Sequence, residues 1–232
     1  MKNILLFWFK IQASKSAKIK LAYLYDAETI KKILSGYWHR YQILKPEIPA
    51  MPTLGSSVTV NLAAMSTGFY HELIARGQSG DSATQLFYEI ALKVYVKMGK
   101  FSWWLARWSN KSVYTRLLKT TELFRAFPFN SPSYEWKTVE TAKNIVGFDC
   151  LKCPVADYFK SKQLSKFCTK TWCTLDYPLA ELRHSKLQRT ESIAGGAAKC
   201  DFRWIVNDKI VSALEQITIG DKTTPEKNLP KY

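Results

Sequence analysis

YEWKTVETAKNIVGFDCL, residues 134–151, decides the fold class, because a helical pattern gives way here to an extended one. Its Val, Ile and aromatic residues favour a pleated chain, and the run is broken at Ala142–Asn144, which predicts two strands with a turn between them. Further on, SKLQRTESIA (185–194) and KCDFRWIV (199–206) read as two more strands joined by the turn signal Gly195-Gly196. VADYFKSKQL (155–164) reads as a short helix between the two strand regions.

Upstream of Pro128 the periodicity is helical. Residues 27–43 place Ile30, Ile33, Leu34, Tyr37, Trp38 and Tyr41 on one face. Pro46, Pro49 and Pro52 then impose an extended connector, since proline lacks the donor that a helix interior needs. A helix over about 57–76 follows from Val58, Leu62, Met65, Phe69 and Leu73, with Gly77 as its stop. Another is expected to start at Ser82 through a Ser82–Gln85 capping box and to end at Gly99, with Leu86, Phe87, Ile90, Val94 and Met98 buried. The run 101–124 mixes Trp103, Trp104 and Trp108 with Arg107, Lys111, Arg116 and Lys119. It reads as a basic amphipathic helix or helix pair packed on the body with solvated cations. Weak contact with a membrane surface stays open for such a pattern.

The chain is therefore expected to be α+β, with a helical N-terminal half packed on a small, mostly antiparallel sheet from the C-terminal half. One domain spans 1–232 on this reading: 1–128 mainly helical, 129–215 carrying the sheet, and 216–232 a loose polar tail. Its 47% hydrophobic and 14% aromatic residues exclude a disordered chain. With 34 Lys and Arg against 19 Asp and Glu, the net charge of +15 attracts anions of any kind. The lysines are spread along the chain rather than massed in a block, so nucleic acid is not the favoured partner.

MKNILLFWFK at the start fits either a first strand or a helix start. It is short for an export-signal core, and Lys15 interrupts the small residues that a cleavage site needs. No run approaches the roughly 18 apolar residues of a membrane span. A cytoplasmic protein with reduced thiols is expected.

All five cysteines, Cys150, Cys153, Cys168, Cys173 and Cys200, fall in under a quarter of the chain. Three readings apply. The Cys150–Cys153 and Cys168–Cys173 spacings suit zinc, but five thiols do not match a four-ligand site and only His184 lies near, so no metal is assigned. The thiols can be small buried hydrophobes, the reading taken for Cys150 and Cys168. Or one is a nucleophile, which needs a nearby cation or base; Arg183, His184, Arg189 and Arg203 are near in sequence.

The ordered series CPVADYF (153–159), WCTLDYPLA (172–180) and LQRTESIAGGAAKCDFR (187–203) resembles the L-2-amino-thiazoline-4-carboxylic acid hydrolase family. Members carry Cys-Pro followed by an alanine and an aromatic, then Cys-x-x-Asp, then Arg-Thr ahead of a Gly-rich turn, then Cys-Asp-Phe-Arg. The likeness covers about residues 145–205, and LGSSVTVNLAAMSTGFYHELIARG (54–77) is more loosely similar to the family's helical portion. The final Cys-Asp-Phe-Arg is also similar to the end of vinyl-reductase-type small-ligand-binding domains, which implies a sheet and helices around a ligand pocket.

The family resemblance implies a hydrolase acting on a C–N or C–S bond of a cyclic amidine that bears a carboxylate, with a carbamoyl-cysteine type product and no cofactor. A carboxylate is needed to hold the amidinium, and Asp176 and Asp201 are the candidates. A guanidinium fork suits the substrate carboxylate, which points to Arg189 and Arg203, with Thr190 and Tyr177 as further substrate contacts. The attack on the ring falls to Cys173 first and Cys153 second, or to a water activated by an aspartate. Packing alternatives stand beside these roles: Asp176 can cap the following turn, and Asp201 can pair with Arg203 across strands. Two other functions remain in view, a non-catalytic binding module of the same fold and a basic, Trp-rich protein docking on anionic lipid or nucleic acid.

Overall fold

The computed structural model describes residues 1–109 and 112–207. Five helices come first: α1 (Lys2–Leu21), α2 (Ala27–Leu44), α3 (Leu54–Ala75), α4 (Gly80–Leu105) and α5 (Val113–Ala126). Strands β1 (Glu135–Thr138) and β2 (Ile145–Lys152) follow, then helices α6 (Pro154–Ser161), α7 (Ser165–Cys168) and α8 (Asp176–Leu182), then β3 (Ser185–Gln188) and β4 (Cys200–Val206). Thr169–Cys173 forms a π-helical turn between α7 and α8. The fold is α+β. Its four-stranded sheet is antiparallel throughout, in the order β1-β2-β4-β3.

The helical part centres on α3, which is buried along most of its length. Thr53 caps it, its hydroxyl accepting from Ser56 N at 3.1 Å. At the crossing with α2, a Cβ on Gly68 would lie 2.9 Å from the Tyr37 carbonyl oxygen, so only glycine lets the two backbones approach this closely. The buried apolar residues of α1–α3, with Ala83, Leu86 and Ile90 of α4, form one core cluster with Val155, Tyr158 and Phe159 of α6 and Phe167 of α7. A second cluster lies on one face of the sheet, where Phe148, Phe202 and Trp204 pack with Leu117 of α5 and Leu179 of α8.

Several boundaries differ from the sequence reading. The N-terminal run is the start of α1, the helical of its two readings. Helix α4 starts at Gly80 rather than Ser82, because Ser79 is its cap and accepts from Ser82 N at 3.2 Å. Nor does Gly99 end it. A Cβ there would meet Leu179 Cδ1 at 2.8 Å, so this glycine serves the close packing of α8 on α4 while α4 continues to Leu105. Strand β3 stops at Gln188, and the turn before β4 is a short 3-10 helix (Ile193–Gly195) capped by Gly196 at φ 98°.

The Trp-rich run becomes the end of α4, a 3-10 turn (Ala106–Ser109) and α5. Trp103 is buried and its ring lies 3.7 Å from the Arg116 guanidinium, which also bonds the Trp103 carbonyl through Nε at 2.9 Å. Phe101, Trp104 and Leu105 are exposed. Lys111 and residues 208–232, which include the tail expected over 216–232, lie outside the described residues. No helix among the described residues is long and apolar enough to cross a membrane.

Candidate active site

A cavity of about 120 Å³ lies between the inner face of the sheet and helices α4, α5, α6 and α8. Such a volume suits one small ring rather than a drug-sized ligand. All five cysteines line it, with Asp176, Arg183 and Arg189, and aromatic residues such as Tyr95, Phe124, Trp172 and Phe202 form most of the remaining wall. The thiols are all free.

Cys168 and Cys173 meet because of the π turn. Residues five apart point to different sides of an α-helix, whereas i→i+5 geometry stacks them. The two side chains are neighbours, and Cys168 acts on the ionisation of Cys173 as a hydrogen-bond donor. Trp172 anchors the turn to α3, its indole donating to Ser66 Oγ at 3.3 Å. The Cys168 hydrogen bond holds the Cys173 thiol below its ordinary pKa, and the Arg189 guanidinium adds to this against burial and Asp176. In that arrangement Cys168 keeps its proton and donates, so its own pKa rises.

The other three thiols are held neutral. Burial pushes Cys150 to about 12 and Cys200 to about 11, and drives Cys153 well above its ordinary value. Cys173 is the one thiol of the five whose pKa its surroundings lower.

Arg189 ties Asp176 to Cys173. Its Nη1 lies 2.9 Å from Asp176 Oδ2, and its Nη2 donates to the Cys173 carbonyl at 3.0 Å. The guanidinium also sits 5.3 Å from the centres of the Tyr177 and Phe202 rings. With side chains only 7% and 20% exposed, Arg189 and Asp176 form a largely desolvated pair. Burial raises the Asp176 pKa, and Arg189 offsets part of that rise.

A model of the L-2-amino-thiazoline-4-carboxylic acid hydrolase family matches residues 60–204. The chain belongs to that family. Its name makes it a family of hydrolases, and the match takes in every cavity residue named above. No curated protein and no solved structure matches the chain.

Within this L-2-amino-thiazoline-4-carboxylic acid hydrolase family member, the residues singled out from sequence divide into two groups. Cys153, Cys173, Asp176 and Arg189 line the cavity. Asp201, Arg203 and Thr190 do not. Strand alternation is the reason: on β4, Cys200, Phe202 and Trp204 are the buried set, so Asp201 and Arg203 project from the opposite face. Nor do these two pair with each other. Arg203 reaches across to Asp149 of β2 at 2.9 Å, and Lys199 takes the other carboxylate oxygen at 2.9 Å. Asp201 instead accepts from Thr190 N at 2.9 Å, Thr190 Oγ1 at 2.7 Å and Glu191 N at 2.6 Å. It fixes the chain directly after Arg189. Tyr177 lies under the Arg189 guanidinium and outside the cavity wall.

Three cavity residues were passed over in the sequence. Cys168 read as a packing residue, and only the i→i+5 turn gives it a partner. Tyr95 reads as one more aromatic on α4. Arg183 stood among several nearby cations with nothing to set it apart. Among the described residues, no group of three or more His, Cys, Asp and Glu is arranged to hold a metal ion.

Proposed function

We propose that this protein hydrolytically opens a small cyclic amidine carrying a carboxylate, of the 2-amino-thiazoline-4-carboxylate kind, to a carbamoyl-cysteine type product. The observation that carries this reading is Cys173, whose thiol pKa is lowered by Cys168 and Arg189, placed beside the Asp176–Arg189 pair in one small cavity. Family membership supports the reaction class.

The roles follow from the chemistry. The amidine is most electrophilic at C2 when protonated, and a carboxylate holds that cation best. Arg189 occupies Asp176 Oδ2, which leaves Oδ1 for the amidinium. Cys173 Sγ then adds to C2, and the ring C2–S bond breaks for an N-carbamoyl product, its sulfur taking a proton. Water adds to C2 of the resulting S-linked adduct and expels the Cys173 thiolate, so one water is consumed per ring opened. Cys153, held neutral by burial, is one of the proton-bearing thiols of the site rather than the nucleophile. Asp201 and Thr190 act by holding the loop that carries Arg189, and Arg203 by locking β2 to β4. The cavity takes its wall from α4 and α5 as well as from the sheet, which supports one domain for the helical and sheet parts.

Ring opening of 2-amino-thiazoline-4-carboxylate by the wild-type chain, Cys173→Ser and Asp176→Asn, compared at equal foldedness, tests the reading. Rapid-quench mass spectrometry should find the ring added to the Cys173 peptide. Full turnover by Cys173→Ser removes the thiolate mechanism.

A second reading, contact with a membrane surface through 101–124, is favoured by the stacked and exposed Phe101 and Trp104. Ile4 and Phe7 of α1 are exposed as well, and their neighbour Trp8 lies 5.9 Å from Lys97 of α4. Salt-sensitive binding to anionic vesicles, lost in Phe101→Ser/Trp104→Ser, is its test.

A further inference from the structure

Arg183 is the largest fully buried side chain among the described residues, at 1% exposure. It follows α8 directly, where the chain turns toward β3, and its side chain lines the cavity. Its guanidinium lies 4.3 Å from the Phe124 ring and 5.6 Å from the Trp204 ring, both in the same wall.

No carboxylate among the described residues pairs with it. Nη2 has one neutral partner, Ser102 Oγ at 3.3 Å, and Nε is buried with none. A guanidinium cannot shed its charge at neutral pH; burial lowers the Arg183 pKa only to about 10, with Tyr95 and Asp176 acting against it from beyond ion-pair distance. A buried cation left in this state is strongly unfavourable unless something neutralises it. The other cations near the cavity differ. Arg189 is spent on Asp176 and the Cys173 carbonyl, and Arg203 is bound to Asp149 on the far face of the sheet. Arg125 also lines the cavity, stacked near Trp136 and Phe148, but it is partly exposed and water can solvate it.

Resting on the cyclic-amidine reading above, we propose that Arg183, with Ser102, binds the substrate's carboxylate and so determines specificity for carboxylate-bearing rings. A planar carboxylate matches the guanidinium fork in a way that no neutral group does. Its negative charge would give this buried cation the ion-pair partner that it lacks. The substrate is then held at both ends, carboxylate on Arg183 and amidinium on Asp176, with C2 presented to Cys173.

Titration calorimetry with 2-amino-thiazoline-4-carboxylate and with 2-amino-thiazoline, the same ring without its carboxylate, tests this. Wild type, Arg183→Met, Arg183→Lys and Arg125→Met are compared, and steady-state ring opening is followed alongside. Wild type should prefer the carboxylate by about 10- to 100-fold, the worth of a charge-assisted pair. Arg183→Met should abolish that preference while keeping affinity for the bare ring, Arg183→Lys should keep part of it, and Arg125→Met should keep it whole. If the Met variant fails to fold, the Lys variant carries the comparison. A preference that survives at Arg183→Met, that moves to Arg125, or that is absent in wild type overturns the proposal. An Arg183-dependent preference without ring opening sustains it and defeats the hydrolase reading instead.

Discussion

Arg189 holds Asp176 at 2.9 Å with both side chains largely withdrawn from water. Removing one partner of such a pair leaves an uncompensated charge, at a cost of about 3 kcal/mol or more. Arg189→Met should therefore lose that much stability in urea unfolding. The Asp176 pKa should rise further, since Arg189 is what offsets the effect of burial. Turnover should fall by at least about 100-fold, the scale of a lost acid–base group. Arg189→Met/Asp176→Asn should recover stability without recovering activity. A double variant as unstable as the sum of the singles would show that the pair is not coupled.

Cys168→Ala should move the acid limb of kcat/KM to higher pH. The sign follows from the hydrogen bond: Cys168 donates to the thiolate of Cys173 and lowers its pKa, so losing the donor raises it. Iodoacetamide labelling of Cys173 should slow several-fold at neutral pH. Cys153→Ala should leave the limb where it is. Identical pH profiles for Cys168→Ala and wild type would mean that the π turn does not tune the thiol.

Asp201→Asn should reduce activity through Arg189 although Asp201 is outside the cavity. Burial raises the Asp201 pKa, but hydrogen bonds from Thr190 and Glu191 outweigh it and hold the carboxyl below its ordinary value. A depressed pKa contributes stability above the unfolded carboxylate value, and this is lost as pH falls through the folded one. The variant should be less stable near neutral pH by about 1 kcal/mol, after solvent screening of a partly exposed group, and its deficit should vanish in acid. Denaturation midpoints across the acid range read this directly, and a deficit independent of pH would contradict it.

Gly68→Ala sets helix propensity against packing. Alanine favours a helix over glycine by up to about 1 kcal/mol, but its Cβ would press on the Tyr37 carbonyl at 2.9 Å and the Tyr41 amide at 3.1 Å. Both contacts are backbone and cannot rotate away, and overpacking of this kind costs about 1–3 kcal/mol. A net loss of stability in thermal unfolding is expected. A gain would show that α2 and α3 separate without penalty.

Much of the architecture was legible in the chain itself. The helical faces of α2 and α3 follow from spacings of three and four, and the change after Pro128 marks where the strands begin. Gly99 misled because glycine after an apolar periodic run is also the mark of a helix end; here it accommodates Leu179 and Leu182, a contact more than 75 residues away that no local pattern reports. The alternation on β4 was available from sequence, since Cys200 and Asp201 are adjacent in a strand and cannot share a face.

By itself the sequence determined the α+β class, the order of the motifs and membership of the L-2-amino-thiazoline-4-carboxylic acid hydrolase family. These rest on local periodicity and residue order, which a linear chain carries in full. Tertiary structure alone decided that five thiols share one cavity, that Cys168 serves Cys173, and that Arg189 has a carboxylate in ion-pair contact while Arg183 has none. What a buried charge does is set by the groups around it. Those groups come from α4, α5, α8 and β4, and only folding brings them together.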